Sequence, residues 1–258
     1  MGRVTTTDRR AALRTGAALL AAGALTAGCA PQGAAAGPAP ATRPSPAGSA
    51  APAPRRFPAH PAQLTHGPRG RARVALTFHG QGDPATARAL LATAERHDAR
   101  VTVLAVGTWL DAHPDLARRI LDGGHDLGNH TVRHLDINAL SEAEAREEID
   151  GCARRLKRLT GSVGTWFRPS RATRASPLVE RLAQRAGYPH VLSYDVDSLD
   201  FTSPGADAVT RSVSGAIRNG SVVSLHFGYA DTVAALPAVL DELDRRGLRA
   251  VTTTELLS

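Results

Sequence analysis

The stretch Gly124-His-Asp-Leu-Gly-Asn-His130-Thr-Val-Arg-His134 concentrates chemistry-bearing side chains more densely than any other part of the sequence. Imidazole is a favoured ligand for zinc and similar ions, and two imidazoles four residues apart reach one ion if the segment is a helical turn. In a chain with 10 histidines the pair reads equally well as two surface or capping residues. Its meaning depends on what the fold brings to it. Further polar residues recur just after short apolar runs, namely His79, Arg168, Asp195, Asp197 and His226.

Those apolar runs alternate with helical patterns. Arg73–Phe78, ending at Gly80, reads as a buried strand, and Pro84–His97 as a helix. Val101–Val106 is a strand, and Pro114–Asp122 a helix closed by Gly123-Gly124. Ser141 with Glu144 forms a capping box that opens a helix to about Thr160. Strands at Thr165–Arg168, Val191–Tyr194, Ser221–His226 and Arg249–Thr252 alternate with helices at Pro177–Ala186, Ala206–Arg218 and Asp231–Arg246. This order predicts a parallel α/β fold. In a parallel barrel the polar residues that follow the strands converge on one face, where sites are built.

The ordered segments Val74-Ala-Leu-Thr-Phe, Gly-His-Asp-Leu-Gly-Asn-His-Thr-x-x-His, Phe167-Arg-Pro, Asp197-Ser-Leu-Asp200-Phe201 and Ser221-Val-Val-Ser-Leu-His226 resemble the polysaccharide deacetylases of carbohydrate esterase family 4. The resemblance spans about Arg71 to Leu257. It implies a distorted (β/α) barrel of about seven parallel strands, a divalent metal ion such as zinc, and an acetylated polysaccharide as substrate. By position, His130 and His134 match metal ligands, and His226 matches the general acid. Asp200 matches the carboxylate that orients and charges that histidine, and Arg168 the arginine that positions the catalytic base. Leu225 would line the acetyl pocket, and Phe201 stands where the family has a substrate-facing Trp. The chemistry is coherent: a metal activates water and polarises the carbonyl, and a carboxylate-held histidine supplies a proton to the departing nitrogen.

The chain departs from the family at its first motif, Thr-Phe-Asp-Asp, where it has Thr77-Phe78-His79-Gly80. The base and the third metal ligand are both lost. Ser170 and Arg171 replace a Pro and an aromatic residue in the third motif. On one reading His79 completes a three-histidine site and takes part in catalysis. The base role then passes to Asp83, Asp197 or hydroxide on the metal. On the other, the domain binds glycan without cutting it.

Residues 1–29 read as an export signal with a twin-arginine-like Asp8-Arg9-Arg10 start. Leu25-Thr26-Ala27-Gly28-Cys29 resembles a lipoprotein signal, which makes Cys29 a lipidation site and the membrane a partner. Residues 30–70, rich in Ala and Pro, read as a disordered tether, leaving 71–258 as the deacetylase-like domain, carried outside the cell. The net charge of +7 rests on scattered arginines, with Lys157 the only lysine. No basic stripe with interleaved aromatics forms, so nucleic acid is not an expected partner. Cys152 falls on the apolar side of its helix and reads as a buried thiol. His125 reads as structural support, and His60, His66, His97, His113 and His190 as surface or packing residues.

Overall fold

A computed structural model describes residues 51–258 of the chain. The signal segment, Cys29 and the first part of the tether lie outside the described residues. The elements run β1 (Gln63–Leu64), β2 (Arg73–Gly80), α1 (Pro84–Arg96), β3 (Thr102–Ala105), α2 (Gly107–Ala112), α3 (Pro114–Asp122) and β4 (Asp126–Asn129). They continue with α4 (Glu142–Thr160), α5 (Pro177–Arg185), β5 (Val191–Leu192), β6 (Val196–Asp197), α6 (Ala206–Ala216), β7 (Val222–His226), α7 (Ala230–Arg245), β8 (Arg249–Ala250) and α8 (Thr253–Leu257).

Five strands lie in the order β4-β3-β2-β7-β6, β8 pairs with the start of β2, and β1 pairs with β5. Every named strand pair is parallel. Phe167 bridges to both Asn129 and Val191, which joins β4 to β5. The result is the parallel α/β barrel-like fold that the alternation predicts.

The two-residue period of the strands sorts side chains between two environments. Val74, Leu76 and Phe78 of β2 pack with Leu90, Leu91 and Leu240 of the surrounding helices. Ala75 packs instead with Leu104, Trp166, Leu192 and Val222 in a separate inner cluster. His79 belongs to this inner set, one position from the end of its strand. The same period on β7 sends Val223 and Leu225 to the helices and Ser224 and His226 to the opposite side. Leu225 is 2% exposed and does not line the site. Ser224 stands there instead, correcting the expectation from the sequence.

The folded body also begins upstream of Arg71. Phe57 and Leu64 are buried in the inner cluster, and Phe57 stacks on Trp166 at 5.7 Å. His190 secures the segment, accepting from the Phe57 backbone N–H at 2.9 Å and standing 2.8 Å from the Pro61 carbonyl. The 30–70 tether is therefore too long at its C-terminal end, because two apolar residues in a proline-rich stretch find a core that no local periodicity announces.

Asp126 anchors α8 at the opposite end of the barrel from the strand termini that carry His79 and His226. It accepts from the Thr254 N–H and hydroxyl and from the Trp166 indole. Burial pushes its carboxyl above the ordinary carboxylate value, against the pull of those hydrogen bonds. A group whose folded pKa is raised contributes stability at low pH that is lost as pH rises through that folded value. Asp126→Asn is therefore expected to flatten the loss of stability as pH rises above about 4, read as urea midpoints of the two proteins from acid to neutral pH. Parallel curves would assign the carboxyl an ordinary pKa.

Candidate metal and hydrolytic site

At the C-terminal ends of the strands lies a cavity of ≈ 700 Å³ lined by His79, His134, Tyr194, Asp197, Phe201, Ser224, His226 and Tyr229, among others. None of His60, His66, His97, His113, His125 or His190 lines it. His125 is a support, accepting from the Val101 N–H at 3.1 Å. Asp195 is also elsewhere, bound to Arg69 and to the Val222 N–H at the start of β7.

His130 and His134 do meet, but on a loop rather than a helical turn. β4 ends at Asn129, and the backbone then turns through positive φ at Thr131 (68°) and His134 (57°). Non-glycine residues in this region cost of order 1–3 kcal/mol each and persist only where their surroundings hold them. Here three buried side chains do so. Asn129 accepts from the Thr131 N–H and donates to the Ile149 carbonyl. Glu148 of α4 accepts from the N–H groups of Val132 and Arg133. Ser170 accepts from the Thr131 hydroxyl and donates to the Leu135 carbonyl. The sequence reading missed Asn129 and Glu148 in this role; the polar Glu148 on an otherwise apolar helix face was the available signal.

The ring of His79 lies 4.3 Å from that of His130, which lies 4.8 Å from that of His134. One nitrogen from each can be chosen so that all three lie within 4.8 Å of one another. Burial, reinforced by positive neighbours, holds His79 and His130 well below the ordinary histidine value. Burial, then Arg171 and His226, brings His134 to about 4. All three rings are neutral near pH 7, as metal ligands must be. His130 gives the sharpest fit to an ion: its Nδ1 faces the Arg168 carbonyl at 3.0 Å, while its buried Nε2 has no partner. A histidine that gives one N–H to a carbonyl and leaves its other nitrogen bare is arranged as a ligand.

Beside the cluster, its ring 4.3 Å from that of His79, His226 has its Nδ1 2.6 Å from Asp200 Oδ1. The other carboxylate oxygen accepts from the His226 N–H at 2.8 Å and the Thr232 hydroxyl at 2.6 Å. Burial raises the Asp200 carboxyl, but these hydrogen bonds and His226 outweigh it and hold the group below the ordinary carboxylate value. Leu199 and Ser203, both at positive φ, turn this segment so that Asp200 is buried while Phe201 is exposed. The Phe201 ring sits edge-on to His226 at 5.5 Å.

Of the two carboxylates expected as substitute bases, only Asp197 lines the cavity. Asp83 is exposed and caps α1 through the Ala85 N–H, which removes it from the chemistry. A side chain at position 80 is crowded, since a Cβ there would lie 2.9 Å from Val103 Cγ1 and 3.0 Å from the Ala105 Cα. Gly80→Ala is expected to cost about 1–3 kcal/mol by overpacking, measured as a fall in the urea midpoint; an unchanged midpoint would show that β3 yields freely.

A barrel-like parallel fold thus carries a histidine cluster and a carboxylate–histidine pair at its strand ends. Comparison with known proteins gives the family: residues 66–191 match the polysaccharide deacetylase family model. The peptidoglycan-N-acetylglucosamine deacetylase of Bacillus cereus is 32% identical over 195 residues, covering 74% of this chain and 90% of that protein. The chitooligosaccharide deacetylase of Bradyrhizobium sp. is 30% identical over 201 residues, covering 69% and 87%. Among solved structures, a family 4 carbohydrate esterase pseudoenzyme from Bacillus anthracis is 25% identical with a TM-score of 0.72, covering 77% of this chain and 70% of that one. The chain belongs to the polysaccharide deacetylase family.

Proposed function

We propose that this protein is a metal-dependent hydrolase that removes acetyl groups from a cell-wall or related polysaccharide. The observation that carries the reading is the bare, buried Nε2 of His130, whose ring clusters with His79 and His134, with the Asp200–His226 pair beside that cluster. The donor set is all imidazole, which suits zinc. Bound there, a divalent ion would lower the pKa of a water and polarise the substrate carbonyl. The protein's own groups do the rest. Asp200 holds the His226 ring by Nδ1, so that Nε2 is the nitrogen available to protonate the departing amine. Asp197 lines the cavity and would accept a proton from water. Phe201 offers an apolar face to a sugar ring.

Loss of both first-motif carboxylates favours a second reading, a glycan-binding module without turnover. The resemblance to a pseudoenzyme supports it, although a variant of that protein is described as having restored enzymatic activity. Incubation of the zinc-loaded protein with acetylated chito-oligomers, followed by mass spectrometry, separates the two. Loss of acetyl groups supports the hydrolase; glycan binding without it supports the module.

The proposed location is the outer face of the cytoplasmic membrane, through a lipid on Cys29, on the strength of the signal-like sequence. Cys29→Ala is the test: release from the membrane fraction agrees with the anchor, and unchanged fractionation refutes it.

A further inference from the structure

A neutral imidazole has one lone pair and one N–H, so a histidine whose lone pair is engaged elsewhere cannot bind a metal. His130 and His79 stand in opposite conditions in this respect, and both are set by Arg168. Its backbone carbonyl faces His130 Nδ1 at 3.0 Å, which leaves Nε2 bare. Its side-chain Nη1 lies 3.1 Å from His79 Nε2. A guanidinium only donates, so His79 Nε2 is the acceptor and the His79 proton sits on Nδ1. Neither nitrogen of His79 then offers a free lone pair.

Arg168 is fixed independently of His79. Its Nε donates to the Leu192 carbonyl at 3.1 Å and its Nη2 to the Ser193 carbonyl at 3.0 Å. The guanidinium lies over the Tyr194 ring at 5.3 Å, the residue is fully buried, and no salt bridge forms to it among the described residues. Ligation by either His79 nitrogen would set an Arg168 N–H against a metal or against another N–H.

We propose that His79 is the hydrogen-bond partner of Arg168 and not a metal ligand: the ion is held by His130 and His134, while His79 presents an N–H. This rests on the metal site proposed above and narrows its ligand set. The buried arginine would then act as a selector, preparing one histidine for the ion through its carbonyl and withholding another through its side chain.

The test uses the full chain labelled with ¹⁵N-histidine. Two-bond ¹⁵N–¹H correlations are recorded without metal and with zinc, beside zinc affinities of wild type, His79→Ala, His130→Ala and His134→Ala. His79 is expected to show the Nδ1-protonated pattern in both states, with zinc moving nitrogen signals of His130 and His134 only. His79→Ala should keep its zinc Kd within about threefold, while His130→Ala and His134→Ala raise it by at least about 10–100-fold. An Nε2-protonated His79 in the metal-free protein, or a zinc-induced shift at its nitrogens, overturns the inference while leaving the metal site standing. A folded wild type that binds no zinc overturns both.

Discussion

Replacing His226 with alanine is expected to lower kcat on acetylated chito-oligomers by about 10²–10⁴-fold, the usual contribution of a positioned general acid. The ring is set by contacts of unequal kind, among them the rings of His79 and Tyr229. Asp200, fully buried, holds Nδ1 at 2.6 Å, and the edge of Phe201 borders it on the cavity side. Alanine removes the proton source and opens space beside His79, whose ring lies 4.3 Å from that of His226, but leaves His130 and His134 in place, so zinc content should stay close to the wild-type level while kcat falls and KM changes little. Asp200→Asn should fall short of that loss, because an amide oxygen still accepts from the ring and keeps it oriented. Wild-type turnover in His226→Ala would exclude this residue from proton delivery.

Glu148→Ala should damage the site from a distance. The side chain is 1% exposed and accepts three hydrogen bonds from the loop that carries His130 and His134, two from backbone N–H groups and one from Arg133 Nε. Each buried donor left without a partner costs about 1–3 kcal/mol, so a loss of about 2–5 kcal/mol in unfolding free energy is expected from those groups together. The same bonds hold a loop with two left-handed residues, and without them zinc affinity should drop about 10–100-fold, as for other groups that orient metal ligands. Glu148→Gln, which keeps an acceptor, should recover part of both. Denaturant midpoints and zinc competition on the three proteins decide it; an alanine variant with both quantities intact would leave the loop supported by Asn129 and Ser170 alone.

Much of the fold was legible because it rests on local patterns. The Ser141–Glu144 capping box opens α4 in the structure as it does in the sequence, and the helix ends at Thr160 as expected. The segments whose order suggested the family also supplied the cluster and the Asp200–His226 pair. What the sequence hid was set by distant contacts. Spacing alone cannot distinguish a helical turn from a loop held by Glu148, a residue on another element. Phe57 and Leu64 carry no periodicity, and their burial depends on Trp166 more than a hundred residues away. Two errors were avoidable. Leu225 and His226 are consecutive in a strand and must face opposite sides, and Asp83 before Pro84 has the signature of a helix cap.

The pairing of β7 with β2 sets an order of events for folding. Ala75 to His79 of β2 lie in register with Val222 to His226, so the central strand gains one of its neighbours only from the last part of the chain. Thr77 and the Val223 carbonyl, joined at 2.6 Å, are separated by 146 residues. Closing a loop of that length precedes the contacts that reward it, which makes folding slow. Until it closes, β2 presents an open, largely apolar edge of the kind that invites aggregation. During synthesis β3 and β4 can assemble beside β2, but His79 and His226 meet only after residue 226 has emerged. A chain stopped short of β7 therefore lacks the proton donor and leaves the central strand open to other chains.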